Sequence, residues 1–127
     1  MNWHQEFPIL VIDDDPEVCE FLVDAASPLG FEVKAVTDPQ KLDDVYRTFQ
    51  PAGIVLDLVM PERDGIQILR FLAAEGCESR IALMSGYDQP MVHRAASLGE
   101  ALGLNLTDPL IKPIRLADLR SVLKKVT

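Results

Sequence analysis

An α/β fold, with a parallel sheet covered by helices on both faces, is what this sequence predicts. Three observations carry the prediction. Short, nearly continuous apolar runs, Ile9-Leu10-Val11-Ile12 and Gly53-Ile54-Val55-Leu56 among them, read as strands buried on both faces. Between such runs, apolar residues recur three and four positions apart, the period of a helix with one face on a core. The two patterns alternate five times, and regular strand–helix alternation marks a parallel sheet.

The first strand covers residues 7–12. Asp15 can cap the helix that follows, and Pro16 suits its first turn, where an N–H would have no partner anyway. Val18, Phe21, Leu22, Ala25 and Leu29 mark that helix's core stripe, Cys19, Val23 and Ala26 widen the apolar arc beside it, and Gly30 ends it. Residues 31–36 alternate in polarity, as in a strand with one face less buried. Asp38-Pro39 repeats the cap-and-proline start. Leu42, Val45, Tyr46 and Phe49 then form a second helical stripe, closed by Pro51 and Gly53. The third strand ends at Asp57, and a Pro- and Gly-containing loop leads to a helix over 65–74. That helix turns Ile66, Leu69 and either Leu72 or Phe71 toward the sheet. Residues 80–85 form the fourth strand, 89–102 a long helix, 106–111 the fifth strand and 114–126 the last helix.

A length of 127 residues predicts one domain over 1–127, large enough to fold without staples. Hydrophobic content of 48% with 25% charged residues is that of a globular protein. The net charge of −8 argues against direct nucleic-acid binding, which needs clustered Lys and Arg. No apolar stretch approaches the ~20 residues of a membrane span. The first residues lack the basic and apolar regions of a signal peptide, so the expected compartment is the cytoplasm. Cys19 and Cys77 have no metal or redox spacing and read as free thiols; His4 and His93 are isolated and do not read as ligands.

Chemistry gathers at the strand ends. Asp57 closes one apolar run and Asp13-Asp14-Asp15 another, and ligands of open α/β sheets bind outside the carboxyl ends of the strands. Several carboxylates in one place repel unless a cation or a shared proton relieves them. Asp15 reads as a helix cap favoured by the helix dipole, whereas Asp13 and Asp14 follow the strand too closely to be caps alone. The pattern therefore points to a hard-metal site around a reactive aspartate. Ser85 with Gly86, and Lys112 with Pro113, also close strands.

The acidic cluster, the loop Asp57-Leu58-Val59-Met60-Pro61-Glu62-Arg63-Asp64-Gly65, Ser85-Gly86 and Lys112-Pro113, in that order and each at a strand end, resemble a response-regulator receiver domain of two-component signalling, of the chemotaxis-regulator type. The resemblance covers residues 9–123. It implies a doubly wound, flavodoxin-like sheet of five parallel strands in the order 2-1-3-4-5, with five helices. It implies Asp57 as phosphoacceptor, loaded by a histidine kinase or phosphotransfer protein, and a signalling role rather than that of an enzyme. Asp14 and Asp57 would bind Mg²⁺ directly, Asp13 would hold a metal-bound water, and the backbone carbonyl of Val59 would complete the protein ligands. Lys112 would pair with phosphoryl oxygens, Ser85 would hydrogen-bond one of them, and the bond before Pro113 would be cis. The first helix's apolar edge (Cys19, Val23, Ala26) would pack on the kinase's helical bundle.

Two positions depart from that family's pattern. Where receivers carry an aromatic three residues before the lysine, Pro109 stands here, on what would be an edge strand that tolerates it. Tyr87, two residues past Ser85, is the remaining aromatic, and Ser85 and Tyr87 would move as a unit in the switch. Residues 98–105 lengthen the fourth helix and resemble receivers attached to cyclic-dinucleotide phosphodiesterase outputs; the partner is expected to be such an output domain or a downstream protein. The chain can be whole or the N-terminal part of a longer one. A haloacid-dehalogenase-type phosphatase, with Asp13 as nucleophile, is one alternative; Glu17 stands where that motif needs Thr or Val, and no acidic motif follows Lys112. A pseudo-receiver that takes no phosphate is the other, and every chemically required position being filled argues against it.

Overall fold

The computed structural model describes residues 7–86 and 89–126. The strands fall on the apolar runs. β1 (Phe7–Ile12), β2 (Phe31–Val36), β3 (Gly53–Asp57) and β4 (Arg80–Ser85) are parallel, in the order β2-β1-β3-β4. Beyond β4 the edge consists of two short pieces, β5 (Asn105–Leu106) and β6 (Leu110–Ile111), both parallel to β4. Helices α1 (Pro16–Ala26), α2 (Leu42–Phe49), α3 (Gly65–Ala74), α4 (Gln89–Ala101) and α5 (Leu116–Val126) connect them. The expected strand order and the five helices are both present.

Successive strand residues point to opposite faces, so a strand buried on both sides must be apolar throughout. Leu10, Ile12, Ile54, Leu56, Ile81 and Leu83 face α2, α3 and α4, where they meet Leu42, Ile68, Leu69, Leu72 and Val92. Ile9, Val11, Val55, Ala82 and Met84 face α1 and α5, against Cys19, Leu22, Ala26, Leu119 and Val122. Each such burial contributes roughly 1.5–3 kcal/mol for a large aliphatic side chain. The outer strand β2 leaves Glu32 and Lys34 exposed, which accounts for its alternation.

Caps fix where helices begin. The Asp15 carboxylate accepts the Glu17 N–H at 2.9 Å. Asp38 accepts that of Gln40 at 3.0 Å, opening a 3₁₀ turn, Pro39–Lys41, ahead of α2. Asp64 and Gln67 form a reciprocal capping box at α3.

The structure corrects several details. On α1 the buried residues are Cys19, Leu22 and Ala26, while Phe21 is 40% and Leu29 49% exposed. Small Cys and Ala let the helix lie close to the sheet, which rolls Phe21 outward. The helix also ends before Leu29: Ser27–Leu29 is a 3₁₀ turn, and Gly30 follows at φ +93°, a left-handed conformation suited to glycine. Val23 is half-buried. On α3, Ile68 joins Leu69 and Leu72 in the core, and Ile66 and Phe71 are half-buried. Finally, the fifth strand is not continuous over 106–111. Thr107-Asp108-Pro109 separates β5 from β6, and Pro109 has no N–H to give to β4. Among the described residues no helix is long and apolar enough to cross a membrane.

Candidate functional site

Strand alternation places the acids. Asp13 continues the face of Ile9 and Val11, and Asp57 that of Val55, so both carboxylates belong to the α1/α5 side at neighbouring strand ends. Both are buried, whereas Asp14 is exposed. One carboxylate oxygen from each of Asp13, Asp14 and Asp57 lies within 4.8 Å of the others. Lys112, just beyond β6, brings its Nζ to 2.8 Å from Asp13 Oδ2 and 3.2 Å from Asp57 Oδ2. The Asp57 contact is a hydrogen bond; that to Asp13 is an ion pair without hydrogen-bond alignment. The remaining oxygens are held by backbone. Asp15 N–H donates to Asp13 Oδ1 at 2.9 Å, and Val59 N–H to Asp57 Oδ1 at 3.1 Å.

The loop after Asp57 is closed by the Gly65 N–H, which donates to the Leu58 carbonyl at 3.0 Å. A Cβ on residue 65 would come within 2.6 Å of Leu58 Cδ2 and 2.8 Å of its Cα, so only glycine fits. Arg63, in the same loop, reaches Asp43 Oδ1 on α2 at 2.5 Å and tethers the loop from the other side.

Burial, and then the neighbouring Asp13 charge, push the Asp57 carboxyl from 3.8 up to about 6; Val59 N–H and Lys112 oppose this without cancelling it. Burial also draws the Lys112 ammonium down, but Asp13 and Asp57 outweigh it and the net direction is up. Lys112 therefore stays charged. Cys19 donates its thiol to the Asp13 carbonyl at 3.3 Å, and burial together with the nearby aspartates pushes it up to about 11, so it is a neutral packing group.

Three carboxylates face one ammonium. An all-oxygen, net-negative donor set of this kind fits a hard divalent cation, Mg²⁺ included. The Ser85 hydroxyl is buried and has no hydrogen-bond partner among the described residues, and the Ser85 carbonyl accepts the Lys112 N–H at 2.8 Å. A Cβ on residue 86 would meet nothing within 4 Å, so Gly86 leaves open space beside Ser85. Val59 is exposed, and the Lys112–Pro113 bond is cis. Tyr87 and His4 lie outside the described residues; His93 is exposed on α4.

The structure thus brings together Asp13, Asp14, Asp57 and Lys112, and sets Ser85 on the adjoining strand end without a hydroxyl contact to them. The sequence alone gives Gly65 as the loop's end and the first residue of a helix, and Arg63 as a loop residue, without the contacts either makes. The Asp64-to-Gln67 spacing was a usable sign of the sharp loop-to-helix turn; the close approach of Leu58 left none.

The response regulator receiver domain family matches residues 9–124. Response regulator MprA of Mycolicibacterium vanbaalenii is 31% identical over 119 residues, 94% of this chain and 51% of the relative. MprA of Mycobacterium avium is 31% identical over 117 residues, 92% of this chain and 51% of the relative. The chain spans about half the length of these relatives. A response regulator from Colwellia psychrerythraea is 32% identical with a TM-score of 0.78, covering 93% of this chain and 94% of that one. A signal receiver domain from Bermanella marisrubri is 25% identical with a TM-score of 0.82, covering 96% and 98%. With the acidic cluster at the strand ends, the 2-1-3-4-5 sheet and a family match over nearly its whole length, the chain belongs to the receiver domains of two-component response regulators.

Proposed function

We propose that Asp57 takes a phosphoryl group from the phosphohistidine of a histidine kinase or phosphotransfer protein, and that the resulting change is passed to an output domain or partner. The observation that carries this is the state of Asp57 itself: buried at the end of β3, one oxygen on the Val59 N–H and the other on Lys112. A P–O bond forms to a carboxylate oxygen while the P–N bond to the histidine breaks, and the imidazole nitrogen keeps the electron pair. Each Asp57 oxygen has one lone pair engaged and another free to attack. Phosphoryl transfer depends on positioning and charge neutralisation rather than covalent help. Asp13, Asp14, Asp57 and the Val59 carbonyl would hold Mg²⁺, which when bound supplies positive charge for the phosphoryl oxygens. Lys112, released from Asp57 Oδ2 as that carboxylate loses its charge, pairs with a phosphoryl oxygen. Ser85, whose hydroxyl lacks a partner among the described residues, donates to another.

The kinase would dock on the groove lined by Val18, Phe21, Pro113 and Ile114 together with Asp15, Glu17 and Lys112. This moves the docking edge from Cys19, Val23 and Ala26, of which Cys19 and Ala26 are core. We place a single receiver domain over residues 1–127, in the cytoplasm. Its output is a domain or a downstream protein, of the cyclic-dinucleotide phosphodiesterase type; the helix expected to extend through 98–105 stops at Ala101, and Asn105 already belongs to β5. The phosphatase alternative has no support in a receiver-family chain.

Incubation with Mg²⁺ and acetyl phosphate should add one phosphoryl group, mapped to Asp57 by mass spectrometry and absent from Asp57→Asn. Phosphate on Asp13, or no uptake in the presence of bound Mg²⁺, would overturn the proposal; the second result would make the domain a pseudo-receiver.

A further inference from the structure

The edge of the sheet contains one residue too many. Asn105 and Leu106 pair with Arg80 and Ile81, but Leu110 and Ile111 pair with Met84 and Ser85. Between Ile81 and Met84 lie Ala82 and Leu83; opposite them stand Thr107, Asp108 and Pro109. One residue on the edge strand is therefore left out of the ladder, as in a β-bulge.

That extra residue decides which way Lys112 points. Leu106 packs against the α2–α4 layer, whereas Leu110 is buried in the α1/α5 layer. Four steps along a regular strand return a side chain to the same face, so the two leucines could not occupy opposite layers without the bulge. Lys112 shares the face of Leu110, which is the face of Asp13 and Asp57. A ladder continued in step would turn Ile111 toward the aspartates and Lys112 away.

The backbone shows what prevents the in-step ladder. The Thr107 N–H donates to the Ile81 carbonyl at 2.9 Å. Parallel pairing in step would use alternate donors, 109 for Leu83 and 111 for Ser85. Residue 109 is proline and has no N–H. The donor found on the Ser85 carbonyl is Lys112, at 2.8 Å, one residue later than step would give.

We infer that Pro109 is a positioning residue: by denying a donor to the in-step register it keeps the extra residue out of the ladder and Lys112 on the aspartate face. The inference rests on the role proposed above for Lys112 in phosphoryl uptake. It also gives the residue at this position a task other than that of a moving side chain.

The test compares Pro109→Val, Pro109→Val with Asp108 deleted, deletion of Asp108 alone, and Lys112→Met. Deleting Asp108 makes the spacing regular, so that Leu110 and Lys112 become the in-step donors and keep their faces. Two quantities are read for each folded variant: the initial rate of Asp57 labelling by acetyl phosphate with Mg²⁺, and the residue whose N–H is bonded to the Ser85 carbonyl, from cross-strand nuclear Overhauser effects. Pro109→Val should slow labelling several-fold and shift part of the population to Ile111 as donor. Deleting Asp108 in that background should restore both, and the deletion alone should change neither. A Pro109→Val protein with wild-type rate and Lys112 still on Ser85 would overturn the inference, as would failure of the deletion to rescue. If Lys112→Met labels at the wild-type rate, the role of Lys112 falls instead, and the register readout alone then decides whether Pro109 positions the strand.

Discussion

Lys112 and Lys125 each meet aspartate, one in the site and the other on the surface. At the site, the Asp13 and Asp57 side chains are 0% and 5% exposed and Lys112 is 27% exposed. On the surface, Lys125 is 50% exposed and its partner Asp108 is 69% exposed. Water and salt screen the surface pair, which holds the last turn of α5 near the edge of the sheet at a gain of about 0–1 kcal/mol. The buried group is different in kind. Asp13 and Asp57 have lost most of their water, and one ammonium answers both of them, so removing a partner leaves a charge uncompensated. The contrast teaches that a lysine–aspartate contact is not by itself a measure of stability, since the exposed pair adds little. Where solvent is excluded, the same contact marks a place that has given up stability to hold charge ready for a ligand.

The largest effect should follow from taking the ammonium out of the buried group. In Mg²⁺-free buffer at pH 7.5, Lys112→Met should lose about 2–3 kcal/mol of unfolding free energy, because the cation that offsets the buried Asp57 and Asp13 carboxyls is gone and Asp57 must either carry an uncompensated charge or take up a proton. Lowering the pH below about 4 should remove most of that loss, since Asp57 is then protonated whether folded or unfolded. Urea titrations at the two pH values check this. An equal loss at both would mean that Lys112 stabilises through its aliphatic packing, not its charge.

Removing the negative partner should act in the other direction. The folded Asp57 carboxyl sits at about 6 against 3.8 for the free group, so the folded state holds this proton more tightly. Its contribution to stability is complete below the unfolded value and is lost as pH rises through about 6. Asp57→Asn has no such loss. At pH 7.5 without Mg²⁺ it should therefore be more stable than wild type by about 1–2 kcal/mol, a figure discounted from the full linkage of a shift of about two units. The advantage should shrink on acidification and be gone below pH 4. Calorimetric midpoints across pH 4 to 8 measure it; a variant less stable than wild type at pH 7.5 would contradict the burial cost assigned to Asp57.

These two residues, with Asp13 and Asp14, were legible in the sequence because strand ends are legible. An apolar run that stops at an acid says where the acid is, and the order of such stops carried the fold and most of the site. What the sequence could not convey lies in relations between elements. The rotation of α1, which buries Cys19 and exposes Phe21, depends on how close small side chains let the helix come to the sheet. The clash that requires Gly65 is with Leu58, and the loop's path alone brings them together. The split of the edge strand was foreshadowed by Pro109, but the extra residue appears only when two strands are counted against each other. Helical and strand periods are properties of one segment, whereas register is a property of two.

The smallest effect should belong to the surface pair. Asp108→Asn removes the partner of Lys125 while keeping the size and polarity of the side chain. Both groups retain most of their water, so the loss should be under ~0.5 kcal/mol at low salt. In 1 M NaCl the Debye length falls to ~3 Å, and the variant and wild type should unfold together. The comparison also reaches the bulge, because Asp108 lies within the stretch Thr107-Asp108-Pro109. If that stretch depended on the ion pair, the loss would be larger and would persist in high salt, and the Lys112 N–H would no longer rest on Ser85. A small, salt-sensitive loss with the Lys112–Ser85 hydrogen bond intact would place register control in the backbone, at the missing N–H of Pro109.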